Sequence, residues 1–151
     1  ELRQELSSTA SATQCPYGVN VPLINVRPDS DDDVVERLIE VVCDDAVPIV
    51  ITSGGSARRF THVLHDAGKL HELRFLLVPG KTDDDAEHDA LIDYVSTLGG
   101  DVRVKLNAFQ HHGVRAAARE WAPMPKAGVD RAAERLRAAG IRNVVTPAVY
   151  V

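Results

Sequence analysis

Three segments of this chain carry side chains whose type and spacing could do chemistry. Thr52-Ser53-Gly54-Gly55-Ser56 reads as a turn from a strand into a helix. Its two glycines let backbone N–H groups approach an anion, and a helix N-terminus adds partial positive charge. A phosphate or a flavin edge fits there; a tight turn with a Ser cap is the plainer alternative. The loop is neither a Walker A sequence, since no Lys-Ser/Thr pair follows the glycines, nor G-x-G-x-x-G. Val78-Pro79-Gly80-Lys81-Thr82 is a second strand-to-helix turn, with Pro-Gly as its turn signal. Lys81 offers a cation to an anion or is simply a loop lysine. The third segment, residues 108–126, is long and holds Gln110, His111, His112, Arg115, Arg119, Glu120 and Trp121. Loops of that length inside a compact domain usually carry function or move.

Metal chemistry is not expected. Successive side chains of an extended chain point to opposite faces, so His111 and His112 do not converge on one ion. His62 and His65 share a helix face but lack the His-Glu-x-x-His pattern. The acidic runs Asp31–Asp33 and Asp83–Asp85 lack calcium-loop spacing and read as first-turn carboxylates. Cys15 and Cys43 are too few for a zinc site or a disulfide framework. Cys43 reads as a core residue, and His71 and His88 read as exposed. No Ser-His-Asp constellation can be assigned from spacing, so no catalytic residue is named.

The elements that must position these loops alternate along the chain. Residues 17–25, 48–52, 73–78, 102–109 and 143–149 are short, apolar and bounded by turn formers, as expected of strands buried on both faces. Ser30 can cap a helix with Val34, Val35, Leu38, Ile39, Val41 and Val42 on its apolar stripe. Ser56 can cap one carrying Phe60, Val63 and Leu64, closed by Gly68. Thr82 and the following aspartates open a third, with Ala86, Ala90, Leu91, Val95 and Leu98 inward. A fourth runs from Lys126 to Ala139 and stops at Gly140, and residues 2–13 suggest a short leading helix. The βαβαβαβαβ order predicts an α/β fold with five parallel strands, placing ligand loops at the strand carboxyl ends. A complete eight-stranded barrel needs about 250 residues. A chain of 151 therefore forms one domain that is part of a (β/α) TIM-type barrel or an open doubly wound sheet.

Seventeen Lys and Arg against 22 Asp and Glu leave a net charge of −5. Without basic blocks, that balance argues against nucleic acid or an anionic membrane as partner. No apolar stretch reaches the ~20 residues that span a bilayer. The polar opening carries no signal-peptide pattern, and the reading is a reduced, cytoplasmic protein. Exposed parallel strand edges would favour a homo-oligomer or a partner that covers them.

Residues 1–68 resemble an internal part of the FMN-dependent nitronate monooxygenases (the 2-nitropropane dioxygenase family). The likeness rests on Pro16-Tyr17-Gly18-Val19-Asn20-Val21-Pro22-Leu23, on Val47 through Ser56, and on Leu64-His65-Asp66-Ala67-Gly68. It implies that Asn20 contacts FMN and that Ser53, Gly54 and Gly55 lie at the flavin-side rim. That family's opening strand, catalytic-His segment and FMN-phosphate loops have no counterpart here. Residues 69–151 resemble the C-terminal part of the radical-SAM activating enzymes of glycyl-radical enzymes. The residues carrying this likeness are Leu73 through Gly80, Val104-Lys105-Leu106-Asn107-Ala108-Phe109-Gln110-His111-His112-Gly113-Val114, and Asn143 through Val151. It implies that Arg74 sits near the S-adenosylmethionine carboxylate and that position 110 lies beside that ligand. Here that position is Gln110, followed by His111. The Cys-x3-Cys-x2-Cys motif is absent, and two cysteines cannot replace it, so a [4Fe–4S] cluster is not expected. The two likenesses describe a composite, natural or designed, of two barrel fragments joined near residues 68–72. The expectations are thus an activase-like module inactive alone, an FMN-binding oxidoreductase fragment, or a folding module without a ligand.

Overall fold

The structure, a computed structural model, describes residues 2–23, 33–45, 47–53 and 58–148. Chain contacts divide it into two compact units, Glu1–Leu70 and His71–Val151.

The first unit holds α1 (Leu2–Ala12), β1 (Gly18–Pro22), α2 (Asp33–Asp44), β2 (Ile49–Ser53) and α3 (Arg58–Asp66). Strands β1 and β2 pair in parallel, Gly18 opposite Ile49 through Pro22 opposite Ser53. Leu23 continues the ladder, its N–H donating to Ser53 O at 2.6 Å. Val21, Leu23, Val35, Ile39, Phe60 and Leu64 form one buried cluster, and Leu6, Val42 and Val47 a smaller one. Arg3 of α1 pairs with Asp44 and Asp45 at the end of α2. The expected Ser30 and Ser56 caps lie outside the described residues, as do Gly54 and Gly55.

The second unit holds β3 (Leu73–Leu77), α4 (Asp85–Leu98), β4 (Val104–Ala108), a 3₁₀ turn at Ala116–Ala118, α5 (Lys126–Ala138) and β5 (Val144–Val145). Its sheet is parallel, in the order β3-β4-β5. Leu77, Leu106 and Val104 of the sheet pack against Val95 and Leu98 of α4 and Val129, Ala132, Ala133 and Leu136 of α5. Each fully buried Leu or Val contributes about 1.5–3 kcal/mol relative to exposure. Beyond α5, Gly140 takes φ 93°. Its N–H reaches Arg137 O, and the N–H of buried Ile141 reaches Leu136 O at 3.1 Å. This Schellman-type ending satisfies the last carbonyls and needs a residue that tolerates positive φ.

The α/β class, the alternation and the parallel strands stand as expected. Strand order runs sequentially within each sheet, an order shared by part of a (β/α) barrel and by one half of a doubly wound sheet, and no closed barrel forms among the described residues. Right-handed crossovers that always step the same way stack their helices on one face. That corrects the expectation of strands buried on both faces. Val19, Val21 and Val50 face helices, whereas Ile49 and Ile51 on the opposite face are 47% and 55% exposed; Leu76 of β3 is likewise exposed.

The helix stripes also need correction. Val34 and Val63 are exposed, and the inward positions are Val35, Ile39 and Val42 on α2 and Phe60, Thr61 and Leu64 on α3. On α4, Ala86 and Ala90 face outward. His88 is only 6% exposed, contrary to its reading as a surface residue, and continues the stripe of Leu91, Val95 and Leu98. Thr82 does not cap α4. Asp84 does, accepting from Glu87 N–H at 2.9 Å, while Thr82 Oγ1 donates to Leu76 O and accepts from Val78 N–H. Strand β5 is two residues long rather than seven; Pro147 lacks the N–H to continue the ladder, and residues 149–151 lie outside the described residues.

Candidate functional site

The carboxyl ends of the strands form a rim in each unit. In the first, residues of odd and even number alternate across the sheet, so Asn20, Ile51 and Ser53 share the face opposite the helices. Ser53 Oγ donates to Asn20 Oδ1 at 2.9 Å. The bond fixes both side chains where β1 and β2 end, and it leaves the Asn20 amide N–H groups and the Ser53 oxygen lone pairs to meet a ligand. Asn20 is exposed and Ser53 half-buried. Beyond Ser53 the chain enters α3 within five residues, so a helix N-terminus follows the rim closely.

In the second unit the β3–α4 and β4–α5 loops meet. Lys81 Nζ stands 4.4 Å from the centre of the Trp121 ring, a cation–π contact. Trp121 also tilts against Phe109, with centroids 5.7 Å apart, and Phe109 meets His111 edge-on at 5.9 Å. His111 Nε2 lies 2.7 Å from Trp121 O. Met124 N–H closes the long loop onto Phe109 O at 2.9 Å. The segment 109–124 is thus a ring-packed loop pinned at both ends. Gln110 is half-buried, and His112 is exposed.

Arg74 stands elsewhere. It occupies the second position of β3, opposite Lys105, near the amino end of the sheet. Gln110 lies five residues beyond Lys105, about 16 Å farther along at about 3.3 Å per residue. Arg74 Nε donates to Glu72 Oε1 at 2.8 Å, and Arg103 Nε to Glu72 Oε2 at 2.9 Å. Burial pushes the Glu72 carboxyl up, but the bonds from Arg103 and then Arg74 outweigh it and hold the group below the usual range. The structure therefore joins Asn20 to Ser53 and keeps Gln110 with His111, but it does not bring Arg74 to Gln110.

Two features escaped the sequence reading. Lys81 and Trp121 were each named, but the contact between them needs two loops to meet. His88 had a signal, because its spacing of three, seven and ten residues from Leu91, Val95 and Leu98 places it on the inner stripe. Among the described residues, no group of three or more His, Cys, Asp or Glu could hold a metal ion. Nor is any helix among them long and apolar enough to cross a membrane.

No family model matches the chain, and no curated protein matches it. Among solved structures it is similar to the FabK (M276A) mutant from Thermotoga maritima, at TM-score 0.42 and 16% identity. The match covers 96% of this chain and 48% of that one, so this chain spans about half that protein's length.

Proposed function

We propose that this chain is a partial (β/α)-barrel module that binds FMN at the carboxyl edge of β1 and β2, and that it does not catalyse redox chemistry by itself. The observation carrying the reading is the Ser53–Asn20 hydrogen bond. It joins two residues that the likeness to nitronate monooxygenases assigns to the flavin. The donor set suits the group: an isoalloxazine edge alternates N–H and C=O. The Asn20 amide offers donors and the Ser53 oxygen an acceptor. Bound FMN supplies an electron and hydride acceptor; the chain's own residues bind and orient it. The boundary between units at Leu70 and His71 supports a composite of two fragments.

The activase-like reading of residues 69–151 needs Arg74 and Gln110 on one ligand. Their separation along the strand and the engagement of Arg74 by Glu72 favour the flavin reading instead. The test is a titration of FMN fluorescence with the intact protein. Saturable quenching is expected, weakened about tenfold in Asn20→Ala, the ~1.4 kcal/mol of one hydrogen-bonded contact. A colourless protein that leaves FMN fluorescence unchanged at every concentration refutes the proposal.

A further inference from the structure

A cavity of about 220 Å³ lies in the second unit, between the start of α4, the loop before it and one side of α5. It is lined by Asp83, Asp85, His88, Gly128, Arg131 and Arg135. That volume is below the roughly 300 Å³ at which drug-sized ligands begin to fit, so its occupant is small.

Two lining residues carry buried nitrogens with no hydrogen-bond partner, His88 Nε2 and Arg135 Nε. Buried polar atoms are almost always paired, and an orphan calls for a water, ion or ligand. Arg Nε is a donor only, and imidazole nitrogen can donate; both orphans can therefore donate to the oxygens of a bound group. The other two guanidinium nitrogens of Arg135 are occupied, by Asp85 at 3.1 Å and Asp89 at 2.7 Å. Arg131 makes no ion pair among the described residues. Gly128 is packed against Met124, since a Cβ built there would lie 2.6 Å from Met124 Sδ, and Arg131 Nη2 stands 3.8 Å from the same point.

The charges decide the ligand class. Two arginines and two aspartates line the cavity, so a bare anion meets as much repulsion as attraction, and so does a bare cation. A molecule carrying both signs meets complementary groups at each end. We infer that this cavity binds a small zwitterion of the α-amino-acid type. Its carboxylate is directed to Arg131, Arg135 and His88, and its ammonium to Asp83 and Asp85. The site is separate from the flavin rim proposed above and stands or falls independently of it.

L-Alanine is the probe, with propionate and ethylamine supplying each charge alone. The readout is the His88 imidazole proton resonance of the intact protein, assigned by difference against His88→Gln. L-Alanine is expected to shift it saturably, at least tenfold more tightly than either single-charge probe. Arg131→Gln, at an exposed position, should keep the wild-type melting temperature and lose at least tenfold in L-alanine affinity. No saturable shift with L-alanine overturns the inference. So do equal responses to all three probes, which mark a cavity filled by solvent, and an unchanged affinity in Arg131→Gln. If Arg131→Gln melts lower, Arg131→Met replaces it, and unchanged affinity in that variant is equally fatal.

Discussion

Glu72 sits between Arg74 and Arg103 with only a tenth of its side chain exposed, and this fixes how acid affects the second unit. Its carboxyl is held below the usual range, so the folded state binds the proton less readily than the unfolded chain. The stabilisation is complete above the ordinary Glu value, about 4.3. It is lost as pH falls through the lowered folded value. Glu72→Gln should cost about 1 kcal/mol near neutral pH, discounted for the exposure of both arginines. The difference from wild type in urea unfolding should vanish in strong acid. The two thiols differ as well. Burial, opposed by nearby Lys69 and aided by Asp44, raises the Cys43 thiol, while Cys15 is exposed. Because the thiolate is the reactive form, iodoacetamide at about pH 8 should label Cys15 well before Cys43, as peptide mass spectrometry would show.

At the scale of elements, local rules were legible and long-range ones were not. Gly68 and Gly140 were recognisable as helix stops because a helix end needs a residue at positive φ, and both have it. The start of α4 was misplaced by two residues because Thr82 and Asp84 are both good caps by type. Only the turn geometry shows that Thr82 is spent on Leu76 and Val78. Asp84→Ala should therefore destabilise the fold by about 1 kcal/mol, read as a lower urea midpoint with an unchanged slope. An unchanged midpoint would return the cap to another residue. The open faces of the sheets were hidden for a different reason. An apolar strand reads as doubly buried whatever covers it, and the side its helices take depends on strand order. The distance between Arg74 and Gln110, by contrast, could have been counted: one is the second residue of β3 and the other follows the end of β4.

On the scale of the whole chain, each core cluster draws its residues from one unit. The buried cluster of the second runs from Leu77 to Val144, and its three strands and two helices close a sheet without residues of the first. A polypeptide of residues 71–151 should therefore fold alone, with helical circular dichroism and a cooperative thermal transition. A non-cooperative melt would show that its core is incomplete. The candidate flavin rim was half legible: Asn20 and Ser53 were named from sequence, but their meeting depends on the register that sets Asn20 opposite Ile51. The central claim is tested most directly by mapping amide chemical shifts of the intact protein as FMN is added. Saturable shifts centred on Asn20 and Ser53 are predicted, with the signals around Trp121 unmoved. Shifts clustered at Trp121, or none anywhere, would contradict it.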